Sequence, residues 1–305
     1  MSSGAKQVVQ IVPEVVIGTT PAVFDRTTLK FTEISLDATV NKTDSESIAD
    51  TRISQGTVVT TAEYAGELTT EAQFSAYDDL IAAAAFNAWA SNSLTFGGNL
   101  RQTFSLLRGY KDIVDYHIFR GVHIGSWKLE VPEDGIIKMM FGLMALGRTK
   151  ATTVPAGTIT PAADTKSMSS VGVGTILIDG VSQQGISCIT AFDFNWDNSM
   201  QVQRCLGNGL DPQSIIETLA AGTGSFTAAW SANTSAMYEK QFTNASIALV
   251  IPFSDPAGNK YTLTLPEVEI TASLPSGGNS DILSASFEYA VRNQAPVLTR
   301  LPFTP

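Results

Sequence analysis

Apolar and polar residues alternate along most of the chain. The alternating runs span five to eight positions and are bounded by Gly, Pro, Asn or Asp, which is typical of strands with one buried face. The clearest runs are 29–36, 188–196, 245–250, 260–265 and 268–272. This pattern predicts a mainly β fold.

Residues 75–89 break the alternation. The segment is rich in Ala and carries Asp78 and Asp79 near its start, where acidic side chains interact favourably with the helix dipole. We therefore predict a helix over 75–89. A second acidic segment, 238–242, predicts another helix start.

The same order of landmarks occurs twice along the chain. At a spacing of 158 residues, 31–36 and 66–69 match 189–194 and 224–227; at a spacing of 146, 122–124 and 136–141 match 268–270 and 282–287. Strand patterns resemble one another in any β protein, but four landmarks in one order predict a duplicated plan. The change of spacing predicts extra residues in the first copy, between Trp89 and Tyr116.

A segment of small residues and prolines, 149–164, lies between the two copies and predicts an exposed linker or arm. A chain of 305 residues can hold one large domain or two of about 150 residues each. With the repeat, the division becomes a first domain over 1–148, a linker over 149–166 and a second domain over 167–305.

Charge and composition narrow the function. Nineteen basic against 29 acidic residues give a net charge of -10, which argues against a surface that grips phosphates. We find no secretory signal, and the longest apolar stretch, 136–145, is about half of a membrane span and contains Lys138. Synthesis in a reducing cytoplasm is expected, with Cys188 and Cys205 as separate thiols.

No constellation of catalytic residues is recognisable. His117 and His123 are six positions apart on a predicted strand, which puts them on one face but too far apart to share a metal ion. The motifs of nucleophile elbows, phosphate-binding loops and zinc proteases are missing from the sequence. We expect a protein that is not an enzyme and has no catalytic, metal-binding or cofactor-binding residues.

Several segments resemble the phage tail tube family. They mark turns and packing positions from about Phe31 to Asn293: 66–69 with 77–80, 116–122 with 125–129, 193–194 with 197–198, 224–227, 258–261 and 290–293. The resemblance implies two tandem β-sandwich or partial-barrel domains, each with a short flanking helix. Their inner strands would join those of other subunits in a closed β-barrel tube.

The resemblance also implies a role and partners. Many family members have one such domain and form six-membered rings, so a chain with two domains implies trimeric rings with pseudo-sixfold symmetry. Stacked rings would form the major tube of a siphophage-type virion tail, assembled in the host cytoplasm, for ejection of double-stranded DNA. The implied partners are further copies of the chain, the tape measure protein, the tail terminator and the distal tail or baseplate proteins, with no membrane and no specific DNA binding.

Two groups of residues are candidates for this role. Surplus carboxylates that face the bore would repel the passing polyanion; the candidate lumen acids are Glu33, Asp37, Glu130, Asp193, Glu267 and Glu269. Arms and loops that become ordered on contact could join successive rings. The candidate inter-ring contacts, in the N-terminal arm, the loop 41–54 and the linker, are Val12, Asp44, Glu46, Thr153, Pro155 and Pro161.

Other functions remain open on the sequence alone. A different β-sandwich protein of the virion, such as a distal tail, connector or head decoration protein, has the same pattern. A carbohydrate-binding β-sandwich would need exposed aromatic platforms and usually an export signal. An enzyme is the weakest alternative, because no catalytic constellation is present.

Overall fold

The computed structural model describes residues 3–304. Met1, Ser2 and Pro305, at the ends of the predicted first and second domains, lie outside the described residues. The predicted mainly β fold is confirmed. The strands are β1 (Gln7–Pro13), β2 (Arg26–Leu29), β3 (Glu33–Ile34), β4 (Asp37–Asp44), β5 (Thr57–Glu71), β6 (Ser93–Thr95), β7 (Phe104–Tyr110), β8 (Asp115–Val131), β9 (Lys138–Ala145), β10 (Gly147–Ala151), β11 (Ile159–Thr160), β12 (Leu177–Ile178), β13 (Val181–Ser182), β14 (Ile189–Asp197), β15 (Gln201–Gln203), β16 (Ser214–Ile216), β17 (Ala221–Ala229), β18 (Ile247–Ser254), β19 (Lys260–Ala272), β20 (Ser284–Val291) and β21 (Val297–Leu301).

Two short α-helices flank the sheets. Helix α1 (Asp78–Ala85) is shorter than the predicted 75–89, because Phe86 takes a left-handed conformation (φ 53°) that ends it. Helix α2 (Ala232–Glu239) is capped by Ser231, whose hydroxyl accepts a hydrogen bond from the backbone N–H of Thr234. The predicted helix start at 238–242 is wrong, since those residues form the end of α2 and a 3-10 turn.

The predicted strands also differ from the observed ones in detail. The run 29–36 is interrupted at 30–32, which separates β2 from β3, whereas the runs 260–265 and 268–272 form one strand, β19. Residues 188–196 correspond closely to β14. Alternation alone could not show that one run is split into two strands while two other runs form one continuous strand. In both cases every second side chain lies on the buried side.

β8 and β19 each pair with two different sets of strands, one along each half of their length. The N-terminal half of β8 pairs with β7 and β10, and its C-terminal half pairs with β9 and β14. β19 pairs in the same way with β18 and β21, and then with β20. Gly121, at φ +60°, lies where β8 passes between its two sets of partners, and an added Cβ would lie 2.7 Å from Leu146. Such crossing strands join the layers of a β-sandwich.

The pairing registers of the two halves match. The pair Leu68↔Phe141 on β5 and β9 has its counterpart in Phe226↔Phe287 on β17 and β20. The spacings between these counterparts are the 158 and 146 residues found in the sequence. β7 and β18 follow the same plan, with bulges at matching places in their pairings. Most of the change in spacing falls between α1 and β7, an interval that overlaps the predicted one between Trp89 and Tyr116 and contains β6.

An aromatic cluster joins the two halves where β8 pairs with β14. Trp127 is fully buried, and its ring lies 5.4 Å from Phe96 and 5.8 Å from Phe194 between centroids. Trp196 packs on the same Phe96 ring at 5.4 Å. A single hydrophobic cluster therefore extends through both halves.

A buried polar cluster ties α1 to the second half of the chain. Asp78 accepts a hydrogen bond from the Tyr261 hydroxyl and forms an ion pair with Arg300. The guanidinium of Arg300 also lies 4.4 Å from the centroid of the Trp89 ring. The Asp78 side chain is 8% exposed, so this carboxylate depends on its two partners for solvation.

Replacing Asp78 with Asn should destabilise the protein. The change leaves Arg300 without its anion, and because that side chain is still 26% exposed we expect a loss of about 2–3 kcal/mol rather than the larger cost of a fully buried pair. Chemical denaturation measures this loss. Asp79→Asn is the matched control. Burial and the nearby Asp78 raise the pKa of Asp79, which means that its negative charge is disfavoured in the folded protein, so its removal should not destabilise the fold. An equal loss in both variants would contradict the role given to the cluster.

Candidate functional site: an acidic sheet face between two open edges

Eight strand positions form one continuous antiparallel run across both halves. Neighbouring strands hydrogen-bond in the order β3 and β4, β5, β9, β8, β14, β17, β20, β19. Two four-strand units thus stand side by side in the same orientation. The first ends at β8 and the second begins at β14.

One face of this run is covered by the hydrophobic core and the other is open. On β5, for example, Ala62, Tyr64 and Leu68 are buried, whereas Glu63 and Glu67 between them are exposed. The same alternation continues on the other strands. We call the open side the acidic face, because of the charges described next.

All six candidate lumen acids lie on the acidic face. Glu33 and Asp37 are at one edge of the run, and Glu267 and Glu269 are on β19 at the other edge. Glu130 and Asp193 lie directly opposite each other where the halves meet. The structure therefore brings together side chains from four separate parts of the sequence.

Five further acids share this face and were missed in the sequence. The additional acids are Glu63, Glu67, Glu71, Asp197 and Glu288. The strands also carry three basic side chains on this face, Lys128, Lys138 and Arg292, and Arg204 from the segment that follows β15 forms an ion pair with Glu63 at 3.2 Å. Acidic groups thus outnumber basic ones on this face. The alternation along each strand assigns these acids to the open face, but only when the buried side of that strand is already known.

Neighbouring groups stabilise some of these carboxylates. The ammonium of Lys128 lies 2.5 Å from Glu130, and this hydrogen bond raises the pKa of Lys128. Asp193 accepts a hydrogen bond from the Ser225 hydroxyl, and Glu269 pairs with Arg292 at 3.0 Å. The pairs are partly exposed, so each contributes little to the free energy of folding. Their main effect is on the electrostatic field close to the acidic face.

Both edges of the eight-strand run are open. Within residues 3–304, β3 and β4 pair with no strand except β5, and the carbonyl of Leu36 between them accepts a hydrogen bond from the Arg108 side chain. At the other edge, Glu269–Ala272 of β19 pair with no strand except β20, the backbone N–H of Ala272 donates a hydrogen bond to the Gln241 side chain, and residues 273–283 form no strand. Unpaired edges of this length are templates for pairing with another strand.

The run is staggered like the wall of a barrel. Residues that face one another across five successive strands are Glu71, Lys138, Glu130, Asp193 and Ser225. β17 is the counterpart of β5 in the second half, and the counterpart of Ser225 on β5 is Glu67. Because the series of facing residues starts at Glu71 and not at Glu67, the register shifts by four residues over four steps from strand to strand. A slip of one residue per strand means a strand tilt of about 35°, which is at the lower limit of the range of closed barrels.

The candidate inter-ring residues are not all at the surface. Val12 is 4% exposed and packs in a small cluster with Phe24 and Leu107, so in the single chain its side chain is not accessible. Asp44 and Glu46 are exposed at the end of the hairpin formed by β4 and β5.

The linker is folded against the first half. Thr153 and Pro161 are exposed, but the carbonyl of Pro155 accepts a hydrogen bond from Arg26, and β11 pairs in parallel with β2. The linker therefore lies along the molecule instead of projecting from it.

The loop 198–220, between β14 and β17, has no counterpart among the sequence candidates. It occupies the place in the second half that the hairpin tip 45–56 occupies in the first. Asp211 fastens it to the first half by accepting hydrogen bonds from Tyr64 and Arg120, both at 2.6 Å. Burial and this hydrogen bond raise the pKa of Tyr64 to about 12.

The histidines are not arranged for metal binding. His123 is buried, its Nδ1 lies 2.8 Å from the carbonyl of Gly121, and burial lowers its pKa. His117 lies beside Asp115 and Arg148. The described part of the chain contains no group of three or more His, Cys, Asp or Glu side chains that could hold a metal ion. No helix in residues 3–304 is long and apolar enough to cross a membrane.

Comparison with known proteins identifies the family. The family model described as phage tail tube protein matches residues 4–291, which is nearly the whole chain. No curated protein matches it. The chain belongs to the phage tail tube family and is a structural protein of the phage tail.

Proposed function

We propose that this chain is a major tail tube protein that closes into trimeric rings, which stack into a channel for double-stranded DNA. The observation that carries the proposal is the eight-strand run with two open edges and one acidic face. Two equivalent four-strand units in each chain support three chains per ring and pseudo-sixfold symmetry. The division into domains 1–148 and 167–305, joined by the linker 149–166, is part of this proposal and rests on the matching registers.

The dimensions of such a ring suit the role. Three chains supply about 24 strands, and at a spacing of about 4.8 Å and a tilt of about 35° these enclose a barrel about 45 Å across between backbone atoms. The core side of the run is covered by the rest of each chain, which leaves the acidic face for the lumen. A heterologous, head-to-tail contact of this kind closes into a ring when its rotation permits.

The acidic face would let DNA slide without holding it. Every favourable contact with a phosphate must be broken as the genome moves, so a wall that attracts DNA would slow its passage. Carboxylates repel the polyanion, and at physiological salt their field extends about 8 Å from the wall. The chain acts here as a conduit and not as an enzyme, with other copies of itself, the tape measure protein, the terminator and the distal tail proteins as partners in a siphophage-type tail.

Electron microscopy of the purified chain tests the proposal. We expect hollow rings or tubes, with threefold averages that approximate sixfold symmetry, after assembly in the host cytoplasm or at high protein concentration. Light scattering coupled to gel filtration gives the mass of the smallest ring. Monomers that stay separate under all assembly conditions would refute tube formation.

The hairpin tip should be required for stacking but not for the fold. Ile48 is fully exposed there and Ile53 is 78% exposed, and among the described residues the tip 46–54 is hydrogen-bonded only within the hairpin end 45–56. Replacing 46–54 by a short Gly-containing turn should abolish tubes and change the free energy of unfolding by no more than about 0.5 kcal/mol. Microscopy and denaturation measure the two effects.

The double variant Ile48→Ser, Ile53→Ser keeps the hairpin length and removes only the apolar surface. We expect shorter or fewer tubes from it. Normal tubes from the shortened hairpin would show that stacking uses other elements.

A further inference from the structure

We infer that β3 and β4 of one chain pair with β19 of the next chain in the register that already joins β14 to β8 inside each chain. The inference rests on the proposed function and specifies the contact surface. Its partner is a second copy of this chain. The junction between β8 and β14 is then an internal version of the contact between subunits.

The order of the strands supports this assignment. β14 stands in the second half where β3 and β4 stand in the first, and β8 stands in the first half where β19 stands in the second. The two strands that meet inside the chain are therefore the counterparts of the two that remain open. Repeating the internal contact joins chains head to tail.

A bulge has to be taken into account before the register is transferred. β8 has a bulge between Ile124 and Ser126 that β19 lacks. Ser126 pairs with Gly142, and Thr271 pairs with Glu288, the residue that corresponds to Gly142. Beyond the bulge, β8 and β19 therefore correspond at a spacing of 145 residues instead of 146.

The transferred register defines six pairs between chains. They follow from the six pairs of β14 with β8, which run from Phe192↔Val131 to Asp197↔Ser126. On the acidic face the pairs are Thr39 with Thr271, Asp37 with Ser273, and Ser35 with Pro275. On the core face they are Ala38 with Ala272, Leu36 with Leu274, and Ile34 with Ser276.

Leu274 supports this register independently. It is 62% exposed in the single chain, whereas its counterpart Leu129 is completely buried at the internal junction. Residues 273–276 form no strand in the single chain, and pairing with β3 and β4 extends β19 through them. The extension places Leu274 opposite Leu36 on the core side and removes its exposed surface from water.

The two junctions differ in the size of the side chains that they bury. The internal junction has Trp196 opposite Trp127, and the corresponding pair between chains is Ala38 opposite Ala272. The contact between chains buries less apolar area, so it is weaker than the internal one. Two chains joined by one such contact therefore dissociate readily. In a closed ring each chain makes two of these contacts, so the ring is more stable than an isolated pair of chains.

Pairs of engineered cysteines test the register. In a background of Cys188→Ser and Cys205→Ser, the matched pairs are Thr39→Cys with Thr271→Cys, and Ser35→Cys with Pro275→Cys. The mismatched controls exchange partners: Ser35→Cys with Thr271→Cys, and Thr39→Cys with Pro275→Cys. The mismatched positions are four residues out of register, about 13 Å, which is too far for a disulfide.

Assembled rings of each variant are oxidised and separated on a denaturing gel without reductant. We expect the matched pairs to give a ladder that ends at the covalent trimer, and the mismatched pairs to give at least tenfold less product. Rings that are visible by microscopy but form no matched disulfide, or form mismatched ones equally well, would overturn the register and leave the proposed function standing. A complete failure to form rings in the unsubstituted protein would refute the proposed function itself, and this inference with it.

Discussion

Tubes assembled from the variant Glu67→Lys, Glu288→Lys should retain duplex DNA, and unsubstituted tubes should not. Both side chains are exposed on the acidic face, and each change replaces a repulsive charge by one that attracts phosphate. Because each subunit repeats the change around the ring, the positive charges lie close enough together for one duplex to contact several of them. We expect dissociation constants on the order of micromolar at low salt, the range of non-specific binding.

The measurement uses short fluorescent duplexes present during polymerisation. After sedimentation of the tubes and nuclease treatment, protected DNA reports what lies inside the lumen. Protection should fall steeply between 50 and 200 mM salt, by about tenfold or more, since each phosphate contact releases counterions. The control variant Glu133→Lys, Glu239→Lys has the same net charge, but its exposed changes lie in a turn and on α2, outside the acidic face. Equal protection by both variants would contradict the lumen assignment.

The acidic face was predicted in part from the sequence because strand alternation is strict. Glu267 and Glu269 could be placed on one side of a strand by their spacing alone. Glu67 and Glu288 could not be assigned to the same surface, because that requires knowing how four or five strands align. The bulge at Gly125 shows the difficulty: one extra residue reverses which side of β8 faces the core, and an isolated Gly within a strand can mark either a bulge or a close approach of another backbone.

The duplicated plan could be predicted from the sequence more easily than the contacts that join its two copies. The spacings of 158 and 146 residues are set by strand length and turn length, so they can be found in the sequence without knowing which side chains touch. The fastening of the loop 198–220 by Asp211 depends instead on side chains that are 147 and 91 residues away in the chain. Such a pairing has no periodicity, and the sequence of this segment shows only a mixed loop with two glycines.

The linker and Val12 illustrate the same limit. A stretch of Thr, Ala and Pro predicts an exposed segment, but it docks along β2 through backbone hydrogen bonds and through the side chains of Asp25 and Arg26, which lie more than 120 residues away in the sequence. Val12 follows a polar N-terminus and was expected in an arm. Its burial results from the position of β1 between β2 and β7, which places Val12 in the small hydrophobic cluster with Phe24 and Leu107.

The largest loss of stability is expected for Trp127→Ala. Trp127 is fully buried where β8 meets β14, and its removal leaves a cavity that both halves of the chain share. Truncation of a buried Trp costs about 3–5 kcal/mol, and here the neighbouring rings of Phe96 and Phe194 lose their contact as well. We expect a single denaturation transition in guanidinium chloride, shifted to much lower denaturant concentration.

Trp127→Phe separates the loss of packing from the loss of a polar group. The indole N–H of Trp127 is buried without a hydrogen-bond partner, so removing it relieves an unfavourable burial and offsets part of the lost volume. The Phe variant should therefore lose clearly less stability than the Ala variant, because its ring still fills most of the space that the Ala variant leaves empty. If Trp127→Ala unfolded in two transitions, with one half of the chain stable alone, the shared core would not be what couples the two halves.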